Sequence, residues 1–103
     1  MENTSMPFRP YHPGELIKEE LEYRGMSQRF FAQKFDISYP MLNEILNGKR
    51  PVSTDFALLL EAALGIPAYI LVGMQTDYNL QLAQKDRKLR SRLNKVRKTA
   101  AIL

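Results

Sequence analysis

Cysteine is absent from the 103 residues, which excludes disulfides, thiolate metal sites and a cysteine nucleophile. Tryptophan is absent too, and the single histidine, His12, cannot assemble a metal cluster alone. No run of about eighteen apolar residues occurs, and the opening Met-Glu-Asn-Thr-Ser lacks the charged-then-apolar pattern of an export signal. A soluble, cytoplasmic protein with no membrane partner is therefore expected. Enzyme chemistry finds as little support. There is no Ser-His-Asp set, no glycine loop for phosphates and no carboxylate pair with a sign of a cleft. No catalytic residue, cofactor or metal is expected, and no strand pattern survives along the chain. The expected class is all-α.

What is present is clearest between Ser27 and Arg50. Two short apolar-periodic runs stand here, Phe31-Ala32-Phe35 and Leu42-Ile45-Leu46, each preceded by a serine, Ser27 and Ser38. A serine at an N-cap accepts from the free N–H groups of a first turn. Two helices joined by a three- or four-residue turn, with a small residue such as Ala32 where they cross, form a helix-turn-helix. In such a unit the second helix enters the DNA major groove.

The flanking sequence supplies props for this unit. Pro13 and Glu15 suit the first turn of a helix that carries Leu16, Ile17 and Leu21 and stops at Gly25, with Met26 placed for the closing hydrophobic contact. Gly48-Lys49-Arg50-Pro51 is a turn. Ser53 caps a fourth helix bearing Phe56, Leu59, Leu60, Ala63 and Leu64, ended by Gly65. Pro67 opens a fifth through Leu82. Gly73 inside it costs roughly 1 kcal/mol against alanine, which suggests a close approach by a helix or ligand. Five helices are thus expected over residues 12–83. Residues 1–11, with Pro7 and Pro10, read as an extended arm, either frayed or reaching along a partner.

Charge is distributed unevenly. Residues 85–98 hold eight cations and one anion, whereas residues 1–84 hold seven cations and ten anions. The final segment, 84–103, is periodic as well: Leu89, Leu93, Val96, Ala100 and Leu103 recur at intervals of three or four. It reads as a basic amphipathic helix with a narrow apolar seam, too marginal to stand alone in water. It packs on the body, pairs with another copy or folds on a partner.

Four stretches, His12–Leu21, Ile45–Ser53, Ala57–Gly65 and Met74–Leu80 with its Met-Gln-x-x-Tyr-Asn-Leu pattern, resemble HigA-type antitoxins of the phage-repressor-like helix-turn-helix proteins. The resemblance covers about residues 12–82 and implies a lambda-repressor-like DNA-binding domain. It also implies a homodimer on a palindromic double-stranded operator, repression of the protein's own operon and a ribonuclease toxin as partner. A stand-alone repressor, or an interaction module working through the basic helix, are the alternatives. Where the family has glycine in the turn this chain has Asp36, which tolerates the left-handed conformation. The fifth helix also departs from the family, with Ile70-Leu71-Val72-Gly73-Met74-Gln75.

The DNA-facing candidates follow from position and chemistry. Gln28 is placed to hold a phosphate, a role the resemblance implies, assisted by the helix N-terminus. Ser38, Tyr39, Pro40 and Asn43 front the third helix. Asn43 is the strongest reader, because asparagine pairs bidentately with adenine N6 and N7. Tyr39 suits a sugar, a phosphate or a thymine methyl, and Pro40 offers apolar contact only. Asn47, Lys49 and Arg50 suit backbone phosphates. Glu44 reads as a solvated residue or an intramolecular ion-pair partner, and Phe30 as buried, with an exposed partner patch as the alternative.

Overall fold

The computed structural model describes residues 9–103, and among them finds six helices and no strand. The arm expected over residues 1–11 lies outside the described residues up to Phe8. The helices are α1 (Pro13–Tyr23), α2 (Gln28–Lys34), α3 (Tyr39–Leu46), α4 (Thr54–Leu64), α5 (Ala68–Lys85) and α6 (Arg87–Ala101). Each start has a local cause. Ser27, Ser38 and Ser53 accept from the N–H three residues on, at 3.0, 3.3 and 3.1 Å. Pro67 offers no side-chain cap to α5, and Glu61 of α4 substitutes, its Oε2 accepting from Ala68 N–H at 3.1 Å.

The stops are equally local. After α1, Gly25 adopts φ 69°. Met26 N–H then donates to Leu21 O at 2.9 Å and Gly25 N–H to Glu22 O at 3.0 Å, the paired bonds of a Schellman ending. After α2 the same geometry is built on Asp36, the one non-glycine residue with positive φ (56°) among those described. Ile37 N–H reaches Ala32 O at 2.8 Å there.

A single core joins α1 to α5. Ile17, Phe31, Leu42, Ala57, Leu60 and Leu71 have no exposed surface, one or two residues coming from each of the five helices. Arg24 ties two helix ends together, donating to Glu20 Oε2 at 2.7 Å and to Leu64 O at the end of α4 at 2.6 Å. A close approach joins α1 to α3, where a Cβ placed on Gly14 would overlap the backbone of Ile45. Gly73 is the opposite case. Nothing lies within 4 Å of a Cβ built there, so none of the chain's own helices makes the close approach expected from its sequence position. Gly73→Ala should raise stability by about 1 kcal/mol, read as a higher midpoint of denaturant unfolding.

His12 caps α1 with a titratable group. Its Nδ1 accepts from Gly14 N–H at 2.8 Å, Glu15 Oε2 accepts from the His12 backbone N–H at 3.4 Å, and the imidazole meets Tyr78 edge-on at 4.8 Å. Burial pushes its pKa below the ordinary 6.5, while Glu15 and a backbone hydrogen bond with Arg50 oppose that shift. The unfolded chain therefore takes up a proton at a pH where the folded one resists it. The contribution is complete above about pH 7 and is lost as the pH falls from the ordinary histidine value through the lowered one. Thermal midpoints should drop between pH 7.5 and 5.5, and His12→Asn, which keeps a cap acceptor that does not titrate, should flatten that dependence.

Beyond the body, α5 runs on to Lys85 and stops at Asp86, whose ψ is 116°. Asp86 then caps α6, its Oδ1 accepting from Lys88 and Leu89 N–H at 2.9 and 3.2 Å. The sequence reading had missed this cap, although an aspartate directly before a helical run is its usual signal.

Candidate nucleic-acid interface

The two serine caps bring the N-terminal ends of α2 and α3 to one side of the molecule and set Gln28 beside the third helix. Asn43 Nδ2 donates to Gln28 Oε1 at 3.1 Å, and both side chains are half-buried. Two residues read separately in sequence thus form one unit. The bond fixes the Asn43 amide plane yet leaves its second N–H and its Oδ1 unused, the donor–acceptor pair that adenine requires. The amide N–H groups of Gln28 are not used in this bond.

Ser38 Oγ accepts from Met41 N–H in its cap, which leaves its O–H and one lone pair for contacts outward. Tyr39, the first residue of α3, is half-buried and lies under the guanidinium of Arg29, 4.3 Å from the ring centroid. Such a stack stabilises modestly where it is exposed, by about 0.5–1 kcal/mol. It brings a cation onto this end of the unit. Arg29 was not among the expected site residues; its position in the first turn of α2 is the only sequence signal for it.

Burial of Leu42, Ile45 and Leu46 turns the opposite side of α3 outward. At 100° per residue that outward face is Pro40, Glu44 and Asn47, with Tyr39 and Asn43 on the shoulder toward α2. Glu44, set aside in the sequence reading, is therefore central on the exposed face. Asn47, the C-cap, turns its Nδ2 back onto Asn43 O at 2.9 Å and is partly used by the helix end. Lys49 is exposed, with no side-chain partner among the described residues.

Arg50 departs from expectation. Rather than standing free for phosphate, its Nε and Nη2 donate to Glu44 Oε1 at 2.9 and 2.7 Å. Both side chains are about half exposed (49% and 48%), so the pair is screened and weak, worth about 0.2–1 kcal/mol. A phosphate can displace it. Glu44→Gln should accordingly raise DNA affinity about fivefold at low salt while lowering the thermal midpoint by at most about 5 °C. Fluorescence anisotropy checks this, and an unchanged affinity would mean that Arg50 does not reach DNA.

Phe30 is also a correction. It is 50% exposed rather than buried, because α2 turns Phe31 and Ala32 inward and Phe30 falls on the far side of the helix. Among the described residues no three His, Cys, Asp or Glu side chains cluster to hold a metal ion, and no helix is long and apolar enough to cross a membrane.

The helix-turn-helix family model matches residues 17–71, more than half of the chain. Virulence-associated protein I of Dichelobacter nodosus is 36% identical over 78 residues, which is 75% of this chain and 72% of that protein. Among solved structures, an addiction module antidote protein of the HigA family from Coxiella burnetii superposes with a TM-score of 0.75 at 32% identity, covering 85% of this chain and 95% of that one. The antitoxin HigA of Pseudomonas aeruginosa, solved with the higBA promoter, gives 0.68 at 32% identity, over 73% of this chain and 83% of that one.

Proposed function

The chain belongs to the helix-turn-helix family as a HigA-type, XRE-type member, and from that premise we propose that it is a non-enzymatic, operator-binding transcriptional repressor that serves as the antitoxin of a ribonuclease toxin in the cytoplasm. The observation that carries this is the amide pair of Gln28 and Asn43, held 3.1 Å apart at the joint front of α2 and α3. It leaves a preorganised donor–acceptor edge where a recognition helix presents its first turns to a base. A HigA antitoxin of the same fold, solved with promoter DNA, supports the same reading.

In this reading the work divides along α3, about 12 Å from end to end. Ser38, Tyr39, Pro40 and Asn43 meet base edges at its front. Asn47, Lys49 and Arg50, behind it, together with Gln28, take phosphates and fix register. Residues 12–83 form the DNA-binding body, and α6 beyond it is a separate basic helix. A homodimer related by a two-fold axis would set two recognition helices about 34 Å apart, one turn of DNA.

Footprinting on the DNA upstream of the protein's own reading frame tests this. Protection of two inverted half-sites about one helical turn apart is expected. Absence of any protected site in that region would overturn the repressor role. Co-expression with any small ribonuclease-like reading frame found beside its own tests the antitoxin role separately, through survival of the host. A second reading, an interaction module, is favoured by one observation only, the exposure of α6.

A further inference from the structure

No residue of α6 is buried: Leu93 is 37% and Val96 51% exposed, and Leu89 is only half covered. Leu89, Leu93, Val96 and Ala100 fall within about 60° of one another around the helix, so the unpartnered seam is continuous. Its seven cations carry no acidic residue among them, and none of the seven is ion-paired among the described residues. A helix of this length burying nothing is marginal in water, so α6 has an occupant for its seam elsewhere.

The charges decide which. Lys88, Arg92 and Lys95 run along one border of the seam and Arg90 and Arg97 along the other. Two α6 helices laid seam to seam would place cation against cation on both borders with no acid to relieve them. The partner surface must be apolar along its floor and acidic along its edge. Among the described residues such a surface is offered by a groove of about 630 Å³ between α1, α5 and the turn after α3. Tyr78 and Leu82, one turn apart on α5, line it with apolar surface, Leu82 being 46% exposed, and the buried Leu46 and His12 line it more deeply. Glu15, Glu19 and Glu22 line its edge along α1.

These carboxylates stand at i, i+4 and i+7, the same spacing as Lys88, Arg92 and Lys95 on α6. Glu15 is engaged by Arg9 at 2.9 Å, and Lys18 is the other cation of the groove. Glu19 and Glu22 are exposed and carry no ion pair among the described residues. The chain's own α6 cannot lie there. Only Asp86 separates α5 from α6, whereas folding one helix back on another takes about two to five residues of loop.

We propose that α6 of one copy lies in the Glu15–Glu19–Glu22 groove of a second copy, and reciprocally, its Leu89–Leu93–Val96 seam on Tyr78 and Leu82. This names the surface for the dimer in the preceding reading and rests on that reading.

Two exposed charge reversals test it by sedimentation equilibrium: Glu19→Arg with Glu22→Arg, and Arg92→Glu with Lys95→Glu, circular dichroism verifying that both fold. Each variant alone should dissociate at least about tenfold more readily than the wild type. Mixed one to one they should form a heterodimer, because each reversed groove then meets a reversed helix. Variants that dimerise like the wild type would overturn the groove and leave the dimer standing. Variants that stay monomeric on mixing would also overturn it. A wild type monomeric at every concentration would remove the dimer itself. Weaker DNA binding by the α6 variant with an unchanged dimer would assign the helix to phosphates and overturn the proposal as well.

Discussion

Replacing Gly14 with alanine should lower the stability of the fold by about 3 kcal/mol, the upper end for an overpacked site. The added Cβ meets Ile45 O and C, which are backbone atoms of α3, and lies 3.0 Å from His12 Nδ1. Neither neighbour is the free end of a flexible side chain. Either α1 moves away from α3, opening the contacts of Ile17 and Leu21, or the cap formed by His12 breaks. The thermal midpoint should fall by about 10–20 °C for a domain of this size. A fall of only one or two degrees would mean that α1 slides on α3 without loss, and that the recognition helix is not held from behind. The contrast with Gly73→Ala, where space is open and the sign reverses, makes the pair informative together.

Replacing Asn43 with alanine should cost about 1–3 kcal/mol of discrimination between the operator and a mismatched duplex, roughly 5- to 150-fold. No phosphate contact is removed, so the salt dependence of binding should keep its slope. Gln28→Ala should do both things in smaller measure. It removes a phosphate donor and frees the Asn43 amide to rotate, since the 3.1 Å bond that fixes it is gone. Because the two side chains touch, their effects should not add, and a double-mutant cycle should return a coupling of about 0.5–3 kcal/mol. Additive losses would separate Gln28 from the reading of bases.

The fold could largely be read in the sequence because its signals are local. Ser27, Ser38 and Ser53 each precede an apolar-periodic run, Gly25 and Gly65 each follow one, and Asp36 sits where the turn needs a left-handed residue. Such features depend on neighbours within four residues, which is what a sequence displays directly. The interface was harder because its contacts join distant residues. Gln28 to Asn43 spans fifteen positions, and Arg29 meets Tyr39 across the turn. Each requires α2 and α3 to have crossed at their final angle. Glu44 and Arg50 are only six apart, and the possibility of an ion pair was visible, but not that it would occupy a residue assigned to phosphate. Phe30 and Gly73 failed for a related reason: residue type suggested burial or close approach, whereas helix rotation leaves both facing open space.

The uneven charge also takes on meaning in the folded chain. The helix-turn-helix body is net negative, and two cations at its front, Arg29 and Arg50, are engaged, one by a ring and one by a carboxylate, which leaves Lys49 without a partner among the described residues. In the proposed reading, binding therefore draws on helix termini, amides and a second copy more than on bulk positive charge. That is why specificity, rather than affinity at low salt, is the property to measure.

The most direct measurement compares the full chain binding its own upstream duplex with a scrambled duplex of equal length and composition, by anisotropy at about 50 and 200 mM salt. The account predicts that the upstream duplex binds about a thousandfold more tightly than the scrambled one. It also predicts that the gap persists at the higher salt while both affinities fall. Equal affinity for the two duplexes at both salt concentrations would contradict it, leaving only the attraction of charge for charge.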